Sequence, residues 1–400
     1  MTIDCVTETT QDILVRTDIL SSIKDIDQKD WDCLNTDNNP YLSRKYLSAL
    51  EESLPYFDFR YVIFYNEKKE TVGIAYCQII KITQHEINTE ALSNRLGSKL
   101  PNTIINSLDL RVLICGNAFA TGENGFIFHP SISSNTAFDL LTSVIEEINL
   151  VEKKHKKKIS ITLIKEFWPE HFKNSQHFKE MGCCEVNIDV NMVLKLDDSW
   201  KTFADYLAAM NSKFRTKAKQ VFAKSADLQL IDFTPEIIEE RLDEINSLYN
   251  MLVDKASFSF GRLNATTLLF VKKELGDNFF FRGYYLKGQL IGFSTATNFN
   301  GVLDGNYIGL DYEFNQDYAV YQRMLYDFVE HAFKTGAREI RIGRTAEEIK
   351  SGVGALPVEM KFYAKHRNKV TNALLRPFVQ KLKPSDFNLR RPFKAEYYSN

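Results

Sequence analysis

Between residues 341 and 350 the chain reads Arg-Ile-Gly-Arg-Thr-Ala-Glu-Glu-Ile-Lys, a short strand-like run that exits into a turn dense in charge. Arg344, Glu348 and Lys350 crowd that exit, and Asp311 closes a second strand-like run over residues 302–311. An acid and two cations at neighbouring strand ends can hold an anionic donor or a developing oxyanion and accept a proton from an attacking group. The competing explanation is a solvated ion-pair network at a loop start. The site is preferred because composition agrees with position: strand ends are where open α/β sheets bind ligands. Asn306, Gly309, Tyr318 and Tyr321 line the same strand and the helix after it, and are assigned to donor binding. Tyr321 also suits a plain core role, because it falls on the apolar face of that helix. Further upstream, Lys213, Arg215, Lys217, Lys219 and Lys224 follow one another with no intervening acid. Like charges that close repel, so Lys213, Arg215 and Lys219 are assigned to a phosphorylated donor such as coenzyme A, a carrier-protein phosphopantetheine or tRNA.

Other chemistries find little support. The Gly-rich segment GNAFATGENGF (116–126) follows a strand and offers backbone amides for phosphate or a carbonyl oxygen. It matches neither dinucleotide nor P-loop spacing, and a tight structural loop is the preferred reading. No GxSxG occurs, so a Ser-His-Asp hydrolase is not expected. The histidines are scattered, and Cys183-Cys184 are adjacent rather than spaced as CxxC. A metal site is therefore not expected.

Two stretches of similar plan surround these residues. The first runs hairpin (59–80), strand (110–116), helix (136–150), strand (158–164). The second runs hairpin (279–297), strand (302–311), helix (318–336), strand (338–343). An extra segment at 81–109 explains their unequal spacing, and the pattern predicts a structural duplication. In the second helix Tyr318, Tyr321, Leu325, Phe328, Val329 and Ala332 form one apolar face. Asp317 is its expected N-cap and Gly336 its expected C-terminal glycine. A strand-helix-strand passage implies parallel strands, which should bring Leu310-Asp311 beside Gly343-Arg344. The fold class expected is α/β, with two domains at 1–195 and 196–370. A helical basic connector is expected at 200–275 and a basic aromatic tail at 371–400.

The whole chain has 400 residues and a net charge of -2, so no global basic field recruits nucleic acid and DNA is not an expected partner. With 44% hydrophobic and 26% charged residues, a disordered chain is excluded and a sizeable core is implied. Charge is nonetheless uneven. From Lys365 onward there are nine Lys/Arg against Asp386 and Glu396, interleaved with Leu374, Leu375, Phe378, Val379 and Leu382. That stretch, 365–394, suits peripheral contact with an anionic membrane or a helix docked on the fold. No signal architecture and no apolar run of membrane-spanning length is present, so the expected location is cytoplasmic, with the inner membrane face as an option.

Several stretches resemble a known family. Strand-helix-strand with a preceding hairpin is the plan of GNAT acyltransferases. Asn39-Pro40-Tyr41-Leu42-Ser43, Lys213-Phe214-Arg215 and Ile342-Gly343-Arg344-Thr345 with Glu348, Lys350 and Gly354-Ala355 resemble the double-GNAT, FemAB-like proteins of the peptidoglycan biosynthesis/recognition group. The resemblance spans roughly residues 30–370. It implies tandem GNAT-like domains with mixed central sheets, a thioester or aminoacyl ester donor, and an amine that attacks its carbonyl. One departure stands out: the glycine-containing loop that grips coenzyme A pyrophosphate is replaced by Phe314-Asn315-Gln316-Asp317-Tyr318-Ala319. A carrier-protein thioester, a long acyl-CoA held by its chain, or an aminoacyl-tRNA fits that departure better than acetyl-CoA. The leading expectation is a bacterial N-acyltransferase of envelope or lipid metabolism. It carries fatty acyl groups from acyl-CoA or acyl carrier protein to an amine such as a sphingoid-type aminolipid, without a tightly bound cofactor. Asp311 or Glu348 would be its base, with Arg344 and Lys350 on the oxyanion. The rivals are an aminoacyl-tRNA-dependent peptidoglycan aminoacyltransferase and a non-catalytic GNAT-like binding protein.

Overall fold

A computed structural model describes residues 2–5, 15–36, 38–83, 109–187, 190–255, 261–368 and 387–398. The chain folds into two compact units, each assembled from segments that are distant in sequence. Unit 1 comprises residues 1–188, 257–263 and 360–383; unit 2 comprises 189–256, 264–359 and 384–400.

Unit 1 is a mixed sheet built from β1 (Thr2–Cys5), β2 (Val15–Leu20), β3 (Phe57–Tyr65), β4 (Thr71–Thr83), β5 (Asp109–Cys115), β6 (Phe126–Phe128), β7 (Ile161–Phe167) and β8 (Cys184–Asn187). Its last member, β16 (Lys361–His366), returns from far down the chain and lies between β7 and β8, antiparallel to both. Helix α1 (Arg44–Ser53) begins at an Asn-Pro-Tyr-Leu-Ser run with two caps. The Asn39 side chain accepts from the Tyr41 amide at 3.0 Å, and Ser43 accepts from the Tyr46 amide at 3.2 Å. Helix α2 (Ser134–Lys154) lays Phe138, Leu141, Ile145 and Ile148 on the sheet, the spacing of a helix with one buried stripe. It connects β5 to β7, which run parallel from Val112 opposite Ile161 to Cys115 opposite Ile164.

Unit 2 repeats this plan. Its strands are β9 (Asn191–Lys195), β10 (Gln229–Asp232), β11 (Phe279–Leu286), β12 (Gln289–Phe299), β13 (Val302–Leu310), β14 (Glu339–Arg341) and β15 (Leu356–Val358). The order across the sheet is β10-β11-β12-β13-β14-β9-β15. The basic connector forms two helices, α3 (Phe203–Ala209) and α4 (Ser212–Lys224), rather than one, because Met210 takes an extended conformation. Helices α5 (Leu242–Val253) and α6 (Ala265–Leu275) follow. After β13 come α7 (Tyr312–Tyr318) and α8 (Val320–Thr335), and after β14 comes α9 (Glu347–Ser351). The expected N-cap at Asp317 is therefore corrected. Ala319, at φ +48°, separates α7 from α8, while Asp311 caps α7. Gly336 ends α8 at φ +74°, where a side chain would be strained.

No helix among the described residues is long and apolar enough to cross a membrane. Most of the basic tail, residues 369–386, lies outside the described residues, as does most of the extra segment at 84–108.

Candidate active site

In unit 2 the two central parallel strands share only three residue pairs: Val302 with Glu339, Leu303 with Ile340, and Asp304 with Arg341. Beyond them the strands part. The Ile342 amide donates to the Met192 carbonyl at 2.9 Å and the Met192 amide to the Gly343 carbonyl at 3.0 Å, so this chain continues along β9. β13 goes on alone to Leu310, with β12 as its single strand neighbour among the described residues. Its register against β12 slips where the strands part. Ser294 faces Ile308 while Ala296 faces Gly305, so Asn306 and Tyr307 share Thr295 as a partner. That is a bulge, which bends a strand and re-aims its edge. The Thr295 hydroxyl satisfies both backbone groups of Tyr307 at 2.9 Å, and Thr297 donates to the Asn306 side-chain oxygen at 2.6 Å. Gly305 to Ile308 are only half-buried, whereas Leu303 and Asp304 before them are buried.

The turn after β14 is strained. Gly343, Thr345 and Ala346 have φ of +66°, +63° and +53°. For a β-branched threonine this is an outlier, worth about 1–3 kcal/mol, and such strain concentrates at functional sites. Lys350 lies beneath the turn, buried, its ammonium donating to the Arg344 carbonyl at 2.5 Å. Burial lowers its pKa to about 7; Arg344 adds to the effect and Glu347 opposes it. Glu347 is buried too, and its charge also reaches Tyr321 on α8. Burial, then Tyr312 and Glu347, raise the pKa of that phenol well above its ordinary range. Tyr321, Glu347, Lys350 and the Arg344 backbone therefore form one electrostatic cluster around the turn that follows β14.

The remaining assigned residues scatter. Asp311 stands seven residues past the last parallel pair, about 20 Å of extended chain. Its carboxylate caps α7 by accepting from the Glu313 amide at 3.0 Å, and that bond does not reach toward Arg344, Glu348 or Lys350. Glu348 accepts from Arg390 at 2.5 Å in a half-exposed pair. Gly309 is a packing glycine: a Cβ there would sit 2.2 Å from the Phe293 ring and 2.8 Å from Leu248. Tyr318 packs near Phe314 against Leu310 and Val320. Arg215 is spent on the α3–α4 turn, donating to Ala208 and Met210 carbonyls at 2.9 and 3.3 Å. Lys213 and Lys219 stay exposed on α4 with Lys217 and Lys224. The Tyr321 amide at the start of α8 is already taken by the Asn315 side chain at 3.0 Å.

Asn191 is a residue that sequence reasoning misses. It follows the β9 ladder one residue beyond Met192, across from Gly343, and is fully buried with neither side-chain amide atom hydrogen-bonded among the described residues. A lone asparagine in a strand carries no signal by spacing, which is why only the fold reveals it.

In unit 1 the corresponding Gly-rich loop is locked in place. The Ala118 amide donates to Gln78 at 2.6 Å, Gly122 to Glu166 at 2.7 Å, and Lys165 to the Asn117 carbonyl at 2.7 Å. Among the described residues no three His, Cys, Asp or Glu side chains converge as metal ligands.

No protein-family model matches the chain, and no curated protein matches it by sequence. Solved structures do match by shape. FemX aligns with 83% of this chain and 93% of its own at a TM-score of 0.52 and 11% identity. A tandem GNAT protein from the clavulanic acid biosynthesis pathway aligns with 92% of this chain and all of its own, at 0.51 and 10%. With a hairpin, two parallel strands and a connecting helix in each unit, the chain has the tandem GNAT fold it shares with these two proteins.

Proposed function

We propose that the chain is an N-acyltransferase whose reaction takes place in unit 2. The observation that carries this reading is the parting of β13 from β14 after Arg341, three residues before Arg344, whose carbonyl holds the buried Lys350. A thioester can lie along the bulged edge of β13, its carbonyl oxygen on the backbone amide of Ile308, since Tyr307 is already bonded to Thr295. The acceptor amine attacks the carbonyl carbon; a C–N bond forms and the C–S bond breaks. Lys350, near neutrality, takes the amine proton directly or through water and returns it to the leaving thiolate. Arg344 and the strained turn position the collapsing intermediate. This revises the roles expected for Asp311 and Glu348, which are held in a helix cap and a surface ion pair.

For the donor we propose a long-chain acyl-CoA or acyl carrier protein, and for the acceptor an amine on a lipid-like molecule such as a sphingoid-type base. The Tyr321 amide at the start of α8 is already taken by Asn315, which weighs against a pyrophosphate gripped there, and the exposed Lys213, Lys217 and Lys219 can hold the phosphates of a CoA or carrier donor instead. The same lysines favour one alternative, an aminoacyl-tRNA donor, whose binding would fall steeply with salt. Purified protein should release free thiol from a C12–C18 acyl-CoA only when a long-chain amine is added. Absence of amine-dependent thiol release across acyl-CoA and acyl-carrier donors would reject the thioester reading; salt-sensitive binding of aminoacyl-tRNA would then favour the alternative.

A further inference from the structure

Unit 1 holds a groove of about 1310 Å³. It is bounded by the C-terminal half of α2, the start of β7, the turn at 181–184 and the chain leaving β16. Ile145, Leu150, Ile159, Ile164 and Met181 give it an apolar floor. Leu150 is 57% exposed there, unusual for a side chain that gains from burial. Lys153, Lys158, Lys179, Lys365 and Arg367 line it against only Glu146 and Glu180. Lys365 is paired with Glu146 at 2.8 Å, Lys179 with Glu185 at 2.5 Å, and Glu180 with His177 at 2.9 Å. Lys153, Lys158 and Arg367 are exposed and have no acid partner among the described residues.

We propose that this groove binds an anionic amphiphile, with an alkyl chain of fatty-acid length on the apolar floor and a carboxylate or phosphate head among Lys153, Lys158 and Arg367. Ordinary small-molecule pockets hold about 300–1,000 Å³, so this groove has room for a long chain and its head. Charge also selects the occupant. The cations Lys153, Lys158 and Arg367, unpaired among the described residues, select an anionic head over a cationic or neutral one. The site lies in unit 1 and does not depend on the reaction proposed for unit 2.

The test is titration of the full chain with the fluorescent acid 11-(dansylamino)undecanoic acid. Saturable binding is expected, displaced by dodecanoate or dodecyl phosphate but not by dodecanol; the better competitor tells a carboxylate head from a phosphate. Lys153→Glu/Lys158→Glu should weaken it roughly tenfold or more, and Arg367→Glu serves as a second variant should the first not fold. Cys183 lines the groove and Cys33 is exposed elsewhere in unit 1. Bound probe should slow maleimide labelling of Cys183 and leave Cys33 unchanged, read by peptide mass spectrometry. The proposal is overturned by non-saturable binding, by equal affinity in both charge-reversed variants, or by an unprotected Cys183. Binding lost in Lys350→Met would place the probe in unit 2 instead and equally overturn it.

Discussion

In the proposed reaction Lys350 is the base, and its burial has two measurable consequences. As a base it must be neutral, so kcat/KM should rise with pH through about 7 and then level off. Lys350→Met should lower turnover about 10²-fold or more, and Lys350→Arg should not rescue it, since a guanidinium stays protonated. The second consequence concerns stability. The folded-state pKa of about 7 lies below the ordinary 10.5, so between these values the unfolded chain holds a proton that the folded chain has released. Stability should therefore rise with pH across that window, with the burial penalty complete below about pH 7. Lys350→Met should be more stable than the parent by a few kcal/mol near pH 6.5, the gap narrowing toward pH 10, as read by urea unfolding. Spacing alone marks Lys350, because cations and acids gather after a strand. Spacing cannot tell Lys350 from Glu348, since burial of one and exposure of the other depend on which side of a five-residue helix meets the core. The position of Asp311 misleads for a related reason: a strand's end in sequence is not the end of its pairing.

At the scale of elements, α8 shows what holds the site's scaffold. Asp327 on its buried face accepts from Arg323 at 2.8 Å and from Tyr284 of β11 at 2.9 Å. Arg323 also donates to Ser225 at 3.2 Å, tying α8 to the end of α4. Burial raises the Asp327 pKa, so the carboxylate depends on these partners. Asp327→Ala should cost about 3–5 kcal/mol, whereas Arg323→Leu/Asp327→Leu should recover much of it, because the penalty is the unpaired charge. A double variant as unstable as the single one in thermal unfolding would contradict this. The hairpins, α2 and α8 are legible in the sequence because period-2 and period-3.6 patterns are local. The break of the connector at Met210 and the separate helix α7 are not. Nothing in their residue types forbids helix; tertiary bonds, such as the Asn211 amide donating to the Pro392 carbonyl at 2.8 Å, decide them.

For the whole molecule, the duplicated plan is visible in sequence but the exchange of segments between units is not. A strand such as β16 looks like any other short apolar run, and its pairing with residues about 200 positions earlier leaves no local trace. A single cut after residue 195 therefore does not separate two units: it removes β16 from between β7 and β8, with the buried Phe362 and Tyr363. Fragment 1–195 should fail to show a cooperative melt by circular dichroism, while the intact chain melts cooperatively. An equally sharp transition in the fragment would show that β16 is dispensable.

The same inserted strand dictates an order of events on the ribosome. β8 ends at Asn187 and β16 starts at Lys361, so some 170 residues must be synthesised before that gap can close. At about 5–20 residues per second this takes roughly 10–35 s. Throughout that interval β7 and β8 present unpaired edges of the kind that seed aggregation. Nascent chains of this protein should therefore be clients of trigger-factor-like or Hsp70-like holdases until translation reaches the strand that completes the first sheet.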